Sequence, residues 1–378
     1  MSNTATATAT ASASAAGRSG EPLLDVRDLA VEFDTEAGLV RAVDGVSFSV
    51  RAGQTLGIVG ESGCGKSVTA LSILRLLPQP MGRIAAGQVL FKGQDLVQAP
   101  QQTIEAVRTG QIGMIFQEPM TALNPVHRIG KQLAEAFLLH QDVTPRTALE
   151  RSIKVLKKVG IPSPEIRAGE YPHQLSGGMR QRVVIAMALA CRPALVIADE
   201  PTTALDVTIQ AQILELMKQL QDETGMAIIL ITHDLGVIAE TCDDVLVMYA
   251  GRVAEQGSAD DIFYRPAHPY TRGLLESIPR LEYRRKTRLK TIEGLVPGLM
   301  DLPAGCRFNN RCEYRIDACV ASAPKVELMR TPRPTTSAVH PPSEPEDPGT
   351  ALGLLQSDGH GVSCHRWREL PAWKEPVA

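Results

Sequence analysis

Hydrophobic positions along the chain fall into two alternating patterns. Short runs dense in Ile, Val and Leu, "TLGIVG" (55–60), "QIGMIF" (111–116), "ALVIAD" (194–199) and "MAIILIT" (226–232), carry no polar alternation, as fully buried strands require. Between the last two lies "VTIQAQILELMKQLQDETG" (207–225), where Ile209, Ile213, Leu216, Met217 and Leu220 recur at helical spacing and Gly225 supplies a stop. Strands alternating with helices from Leu23 to about Gly257 predict a largely parallel sheet covered on both faces. A more helical stretch, roughly Asn124 to Pro172, is inserted among them. Beyond "GSADDIFYRPAHPYTRGLLESIP" (257–279) the character changes. A basic run, "RLEYRRKTRLK" (280–290), precedes a cysteine-bearing segment, "DLPAGCRFNNRCEYRIDAC" (301–319), and a proline-rich loop, "TPRPTTSAVHPPSEPEDPGT" (331–350). No internal repeat is present.

Composition narrows the classes. A chain of 378 residues has room for two domains, or for one large domain and an extension. With 44% hydrophobic and 21% charged residues it has the balance of a soluble protein with a core. A formal net charge of −3 argues against a dedicated nucleic-acid binder. The longest apolar candidate, "VVIAMALACRPALVIAD", is interrupted by Arg192 and Pro193, so it predicts no membrane span. Residues 1–20, "MSNTATATATASASAAGRSG", lack the basic and apolar regions of a secretory signal and read as a disordered tail. The expected compartment is cytosolic, where stable disulfides are disfavoured, so the seven cysteines need another explanation.

The chemistry begins at "GESGCGKS". Gly60, Glu61, Ser62, Gly63, Cys64, Gly65, Lys66 and Ser67 follow a predicted strand and open a predicted helix, the context a phosphate-binding loop needs. Glycines at 60, 63 and 65 let successive backbone N–H groups curl around a phosphate chain, and the helix adds its positive dipole end. Lys66 would reach the outer phosphates and the Ser67 hydroxyl would bind Mg2+. "ALVIADE" is a buried strand ending in two acids: Asp199 would hold Mg2+ through water, and Glu200 would act as general base on the attacking water. Cys64 takes a freely variable place in the loop and reads first as a small tolerated residue; its closeness to a helix N-terminus offers the alternative of a lowered thiol pKa. Ser176, Gly177 and Gly178 precede a helix and form a second anion site; Gln117 in "IFQEP" and His233 in "ITHD" each end a strand.

In this ordered set the chain resembles the ATP-binding subunits of ABC transporters over roughly residues 21–257. The resemblance implies an α/β fold: a P-loop ABC-type nucleotide-binding domain with a mostly parallel sheet, an antiparallel subdomain and a helical insertion. That domain would span 21–265, with its helical subdomain at about 118–180, and a small cysteine-containing extension would fill 266–378. It also implies that two such chains sandwich two ATP molecules head to tail, Ser176, Gly177 and Gly178 reading the γ-phosphate held by the other chain's lysine. Gln117 would contact Mg2+ or the water, His233 the γ-phosphate, and Asp206 of "TALD" would communicate across the dimer; Phe33 matches an aromatic that stacks on adenine. With Glu200 in place, a hydrolytic half-site is expected.

"FQEPMTALNPVHRIGKQLAEAF" and "HPYTRGLLESIP" look like the ATPases of the dipeptide/oligopeptide and nickel importers. That implies two transmembrane permease subunits, a sister ATPase, and indirectly a substrate-binding protein. The location implied is peripheral, on the cytoplasmic face of the inner membrane. Nickel or glutathione import is the neighbouring reading. A soluble ABC ATPase acting on nucleic acid or ribosomes has only the basic run in its favour, and that run reads as a solvated linker near anionic headgroups.

Cys306, Cys312 and Cys319 are separated by five and six residues, with Cys364 following after 44 more. Structural zinc favours closer pairs, whereas an iron–sulfur cluster tolerates varied spacing; zinc, a cluster and free thiols all stay open on spacing alone. The importer ATPases carry a similar extension, read in that group as a 4Fe–4S site, and "GCRFNNRC", "DAC" and "SCHRW" match it.

Overall fold

A computed structural model describes residues 21–117, 122–202, 206–278, 291–329 and 359–373. The N-terminal tail, the basic run and the proline-rich loop lie outside the described residues.

Two sheets form the frame. The first is antiparallel and four-stranded, in the order β2-β1-β4-β5, built from β1 (Leu24–Thr35), β2 (Gly38–Val50), β4 (Gly82–Phe91) and β5 (Gln94–Asp95). The second has eight strands in the order β11-β12-β10-β9-β3-β8-β7-β6. Its parallel part runs β9 (Asp244–Tyr249), β3 (Thr55–Val59), β8 (Ala227–Ile231), β7 (Leu195–Asp199) and β6 (Ile112–Ile115). The four apolar runs of the sequence are thus neighbouring strands. Strand periodicity divides their side chains between two cores: along β8, Ile228 and Leu230 enter one cluster while Ala227, Ile229 and Ile231 enter the other. Both faces are therefore covered, as continuous hydrophobicity requires.

Helices follow the strands: α1 (Lys66–Ile73), α2 (Gln101–Val107), α3 (Ile129–His140), α4 (Pro145–Lys158), α5 (Pro164–Arg167), α6 (Gly177–Leu189), α7 (Val207–Thr224) and α8 (Leu235–Thr241). The inserted helical region is α3 to α5; Thr144 caps α4 by accepting the Thr147 N–H at 3.3 Å, with Pro145 in the first turn. The predicted stripe of α7 is buried at Ile213, Leu216, Met217 and Leu220, and the helix stops at Gly225 with φ 69°. Ile209 differs. It is only half-buried, because the first turn of α7 faces the start of α6, where Gly178 lies against it.

Beyond residue 258 the chain forms α9 (Ala259–Tyr264), α10 (Pro269–Glu276) and α11 (Asp317–Ala321), then returns to the sheet. The three-residue strand β12 (His360–Val362) pairs antiparallel with β10 (Arg252–Ser258) and with β11 (Glu327–Met329). A buried side-chain contact fastens this edge. The Glu255 carboxylate meets His360 Nε2 at 2.6 Å and accepts the N–H groups of Ala267 and His268 at 2.7 and 2.8 Å. With its acceptor capacity used in this way, Glu255 can be carried in a dry interior.

Candidate active site

The parallel strands bring their C-terminal ends to one edge, the usual ligand position in such sheets. The phosphate-binding loop leaves β3 there. Gly60 has φ 150°, and a Cβ at that position would stand 2.2 Å from the Met248 carbonyl oxygen. Gly65 caps α1 with φ 101°, a left-handed conformation that favours glycine. The loop is thus shaped by residues that only glycine can replace. Lys66 is buried and its Nζ donates to the carbonyls of Gly60 and Glu61 at 2.8 and 3.1 Å.

Asp199 closes β7 and accepts a hydrogen bond from the Ser67 hydroxyl at 3.0 Å. Burial pushes its carboxyl above the ordinary range, the Ser67 bond opposes this, and the adjacent Glu200 charge adds to the rise. A divalent cation is the counter-charge this arrangement calls for: a hydroxyl and a carboxylate side by side fit Mg2+, which takes oxygen ligands and keeps several waters. Glu200 follows in the left-handed region, φ 47°, and its N–H donates to the Ile231 carbonyl at 2.9 Å. Its carboxylate is therefore aimed by the backbones of both β7 and β8. One oxygen accepts from Gln117 Nε2 at 3.0 Å and the other lies 3.5 Å from His233 Nδ1. The His233 side chain is 68% exposed, so it can reach a bound molecule. Lys66, Ser67, Gln117, Asp199, Glu200 and His233, all predicted from sequence, converge here from four neighbouring strands.

The other predicted residues stand elsewhere. Ser176 caps α6, accepting the Met179 N–H at 3.3 Å, and Gly177 opens the helix with no neighbour within 4 Å of a built Cβ. Gly178 packs against Ile209 of α7, whose own cap, Asp206, accepts the Ile209 N–H at 2.9 Å. The starts of α6 and α7 thus form one exposed corner, and buried Gln181 ties it to the carboxylate turn by donating to the Pro201 carbonyl at 2.5 Å. Phe33 sits half-buried on β1 of the antiparallel sheet, its ring against Gly82. For Cys64 the structure contradicts the lowered-pKa alternative. Its thiol is fully buried behind the loop, and burial pushes its pKa up, outweighing the nearby Lys66 charge.

The four late cysteines are drawn together. Cys306, Cys312, Cys319 and Cys364 line one small cavity with Phe308, Asn309 and His268. Burial pushes the Cys312 thiol up to about 11 and the Cys364 thiol to about 12, with the neighbouring cysteines adding to both. Among the described residues no three or more His, Cys, Asp or Glu side chains are grouped to hold a metal ion. No described helix is long and apolar enough to cross a membrane.

Sequence reasoning missed the groups that grip the loop from behind. Tyr270 and Arg311 both contact Glu61, 209 and 250 positions away in the chain, and no local spacing announces them.

Comparison with known proteins identifies the family. A family model described as "ABC transporter" matches residues 43–203, and one described as "Oligopeptide/dipeptide transporter, C-terminal region" matches 254–319. A probable peptide ABC transporter ATP-binding protein of Sinorhizobium fredii is 55% identical over 348 residues, covering 92% of this chain and 96% of that protein. The oligopeptide transport ATP-binding protein OppD of Bacillus subtilis is 54% identical over 292 residues, covering 77% of this chain and 82% of that protein. Among solved structures, an ATP-binding cassette in a dimeric post-hydrolysis state bound to ADP and Pi superposes with a TM-score of 0.57 at 25% identity, over 62% of this chain and 98% of that one.

Proposed function

Since the chain belongs to the ATP-binding proteins of the oligopeptide/dipeptide ABC transporters, we propose that it hydrolyses ATP to drive import of short peptides through two permease subunits. The observation that carries this is the convergence of Lys66, Ser67, Gln117, Asp199, Glu200 and His233 at one sheet edge. The loop N–H groups and Lys66 bind the phosphate chain. Ser67 and, through water, Asp199 would hold Mg2+, with Gln117 beside it, and the chemistry it would supply there is neutralisation of phosphate charge. Glu200 takes the proton of a water whose oxygen attacks the γ-phosphorus, the bond to the ADP oxygen breaks, and ADP and phosphate result. His233 contacts the γ-phosphate and fixes the water. Phe33 offers its ring to adenine.

The exposed corner of Ser176, Gly177, Gly178 and Asp206 would lie over the γ-phosphate held by the matching lysine of a second ATPase, a sister subunit, whose own corner would cover the nucleotide on Lys66. Peripheral attachment to the cytoplasmic face of the inner membrane follows, as does a substrate-binding protein upstream. The division we favour is an ATP-binding unit over 21–265 and an extension over 266–378. In that extension we infer a 4Fe–4S cluster on Cys306, Cys312, Cys319 and Cys364. Four thiols share one cavity but are not grouped for a metal ion.

The decisive experiment replaces Glu200. Glu200→Gln keeps the shape but removes the base, so turnover should fall by about 100-fold to 10,000-fold while ATP stays bound in a closed dimer. Normal hydrolysis by this variant would refute the assignment of the base.

A further inference from the structure

Glu61, the second residue of the phosphate-binding loop, is held at three points. Its N–H donates to the Tyr270 hydroxyl at 2.8 Å. Its carbonyl accepts from Lys66 Nζ at 3.1 Å. Its carboxylate accepts two bonds from the Arg311 guanidinium, Nη1 to Oε2 at 2.7 Å and Nη2 to Oε1 at 3.0 Å. Paired parallel bonds of this kind fix orientation as well as distance.

Arg311 is itself locked. Its side chain is 5% exposed, its Nε donates to the Glu293 carbonyl at 2.9 Å, and its guanidinium lies 5.8 Å from the Tyr249 ring centroid and 6.0 Å from that of Phe308. Tyr270 is fully buried and packs against the same two rings. A second arginine, Arg307, donates to the Ala250 carbonyl and the Asp44 carboxylate, and the next residue, Gly251, donates its N–H to the Cys64 carbonyl at 2.9 Å. One short segment after residue 300 thus bears on both ends of a loop made some 250 residues earlier.

We propose that Arg311 is a positioning residue for ATP binding: by clamping Glu61 it sets the loop backbone and the carbonyl on which Lys66 rests. The shape that receives the phosphates then depends on the C-terminal extension. This rests on the reading of the loop as the ATP site. Glu200, Gln117 and His233 stand on other strands and are untouched by the clamp. Its loss should therefore weaken binding and leave the chemical step alone.

The test compares full-length wild type with Glu61→Gln, Arg311→Gln, their double variant and Arg311→Lys, measuring Kd for a fluorescent ATP analogue, then KM and kcat for ATP. Each single Gln variant should raise Kd and KM about tenfold, equivalent to about 1.4 kcal/mol, with kcat unchanged. The double variant should be no worse than either single one, and Arg311→Lys should recover part of the affinity. An Arg311 that merely stabilised the extension would lower the melting temperature without this split, and Glu61→Gln would then bind ATP like wild type. That result overturns the clamp, as would strictly additive losses. Should Arg311→Gln fail to fold, Glu61→Gln decides alone, since Arg311 keeps its carbonyl and ring contacts. Lys66→Ala separates the premises: normal ATP binding by it defeats the ATP-site reading, whereas its failure beside an unaffected Glu61→Gln defeats only the clamp.

Discussion

Glu200, the proposed base, sits on a backbone that disfavours it. At φ 47° a non-glycine residue costs about 1 kcal/mol or more, and the turn is kept there by the N–H bond to Ile231. The strain aims the carboxylate between Gln117 and His233. Two variants isolate it: Glu200→Ala and Glu200→Gly both lose the carboxylate, but only glycine is at ease in that conformation. The glycine variant should melt about 2–4 °C above the alanine variant, and calorimetry showing the alanine protein equal or better would remove strain from the account. Glu200, Asp199 and the loop residues were legible because their chemistry is written in consecutive positions. The lowered-pKa alternative for Cys64 fails for the opposite reason: adjacency to a helix start is visible in sequence, but burial behind Gly60 is not.

The parallel strands could be read directly, since unbroken Ile/Val runs leave no polar face. How helices seat on them was less visible. Gly113 on β6 is the contact point for α6: a Cβ there would come within 2.3 Å of the Ala188 carbonyl oxygen, a backbone atom that cannot swing aside. Gly113→Ala should therefore lift the helix that begins at Ser176, costing about 1–3 kcal/mol, read as a lower denaturant midpoint. No change in midpoint would mean the helix has slack. Strand β12 was invisible from sequence, because three residues, "HGV", carry no periodicity. Its place is fixed by pairing with β10 and by the Glu255–His360 contact, both distant in the chain.

Across the whole molecule the extension is no appendage. Phe308, Tyr270 and Leu275 belong to the same core cluster as Val196, Ile228 and Val247 of the central strands. The cysteine cavity lies beside this shared core, with Phe308 and His268 in its wall. Protein purified without oxygen should be brown and contain about four irons per chain, and Cys312→Ser should lose most of that iron. Stoichiometric zinc with no iron would reject the cluster. Composition and the late cysteines marked a change of character along the chain; what that segment packs on could not be read, because its partners are apolar residues of the central strands, distant in sequence.

The grip of Arg311 on Glu61 spans 250 positions, and this orders events in time as well as space. At ordinary synthesis rates Glu61 is added to the chain about 12 to 50 s before Arg311 is. Throughout that interval the nascent chain displays a phosphate loop without its rear support. The clamp closes only once nearly all of the chain exists, so a prematurely ended product carries the nucleotide motif but not the contacts that hold it in shape.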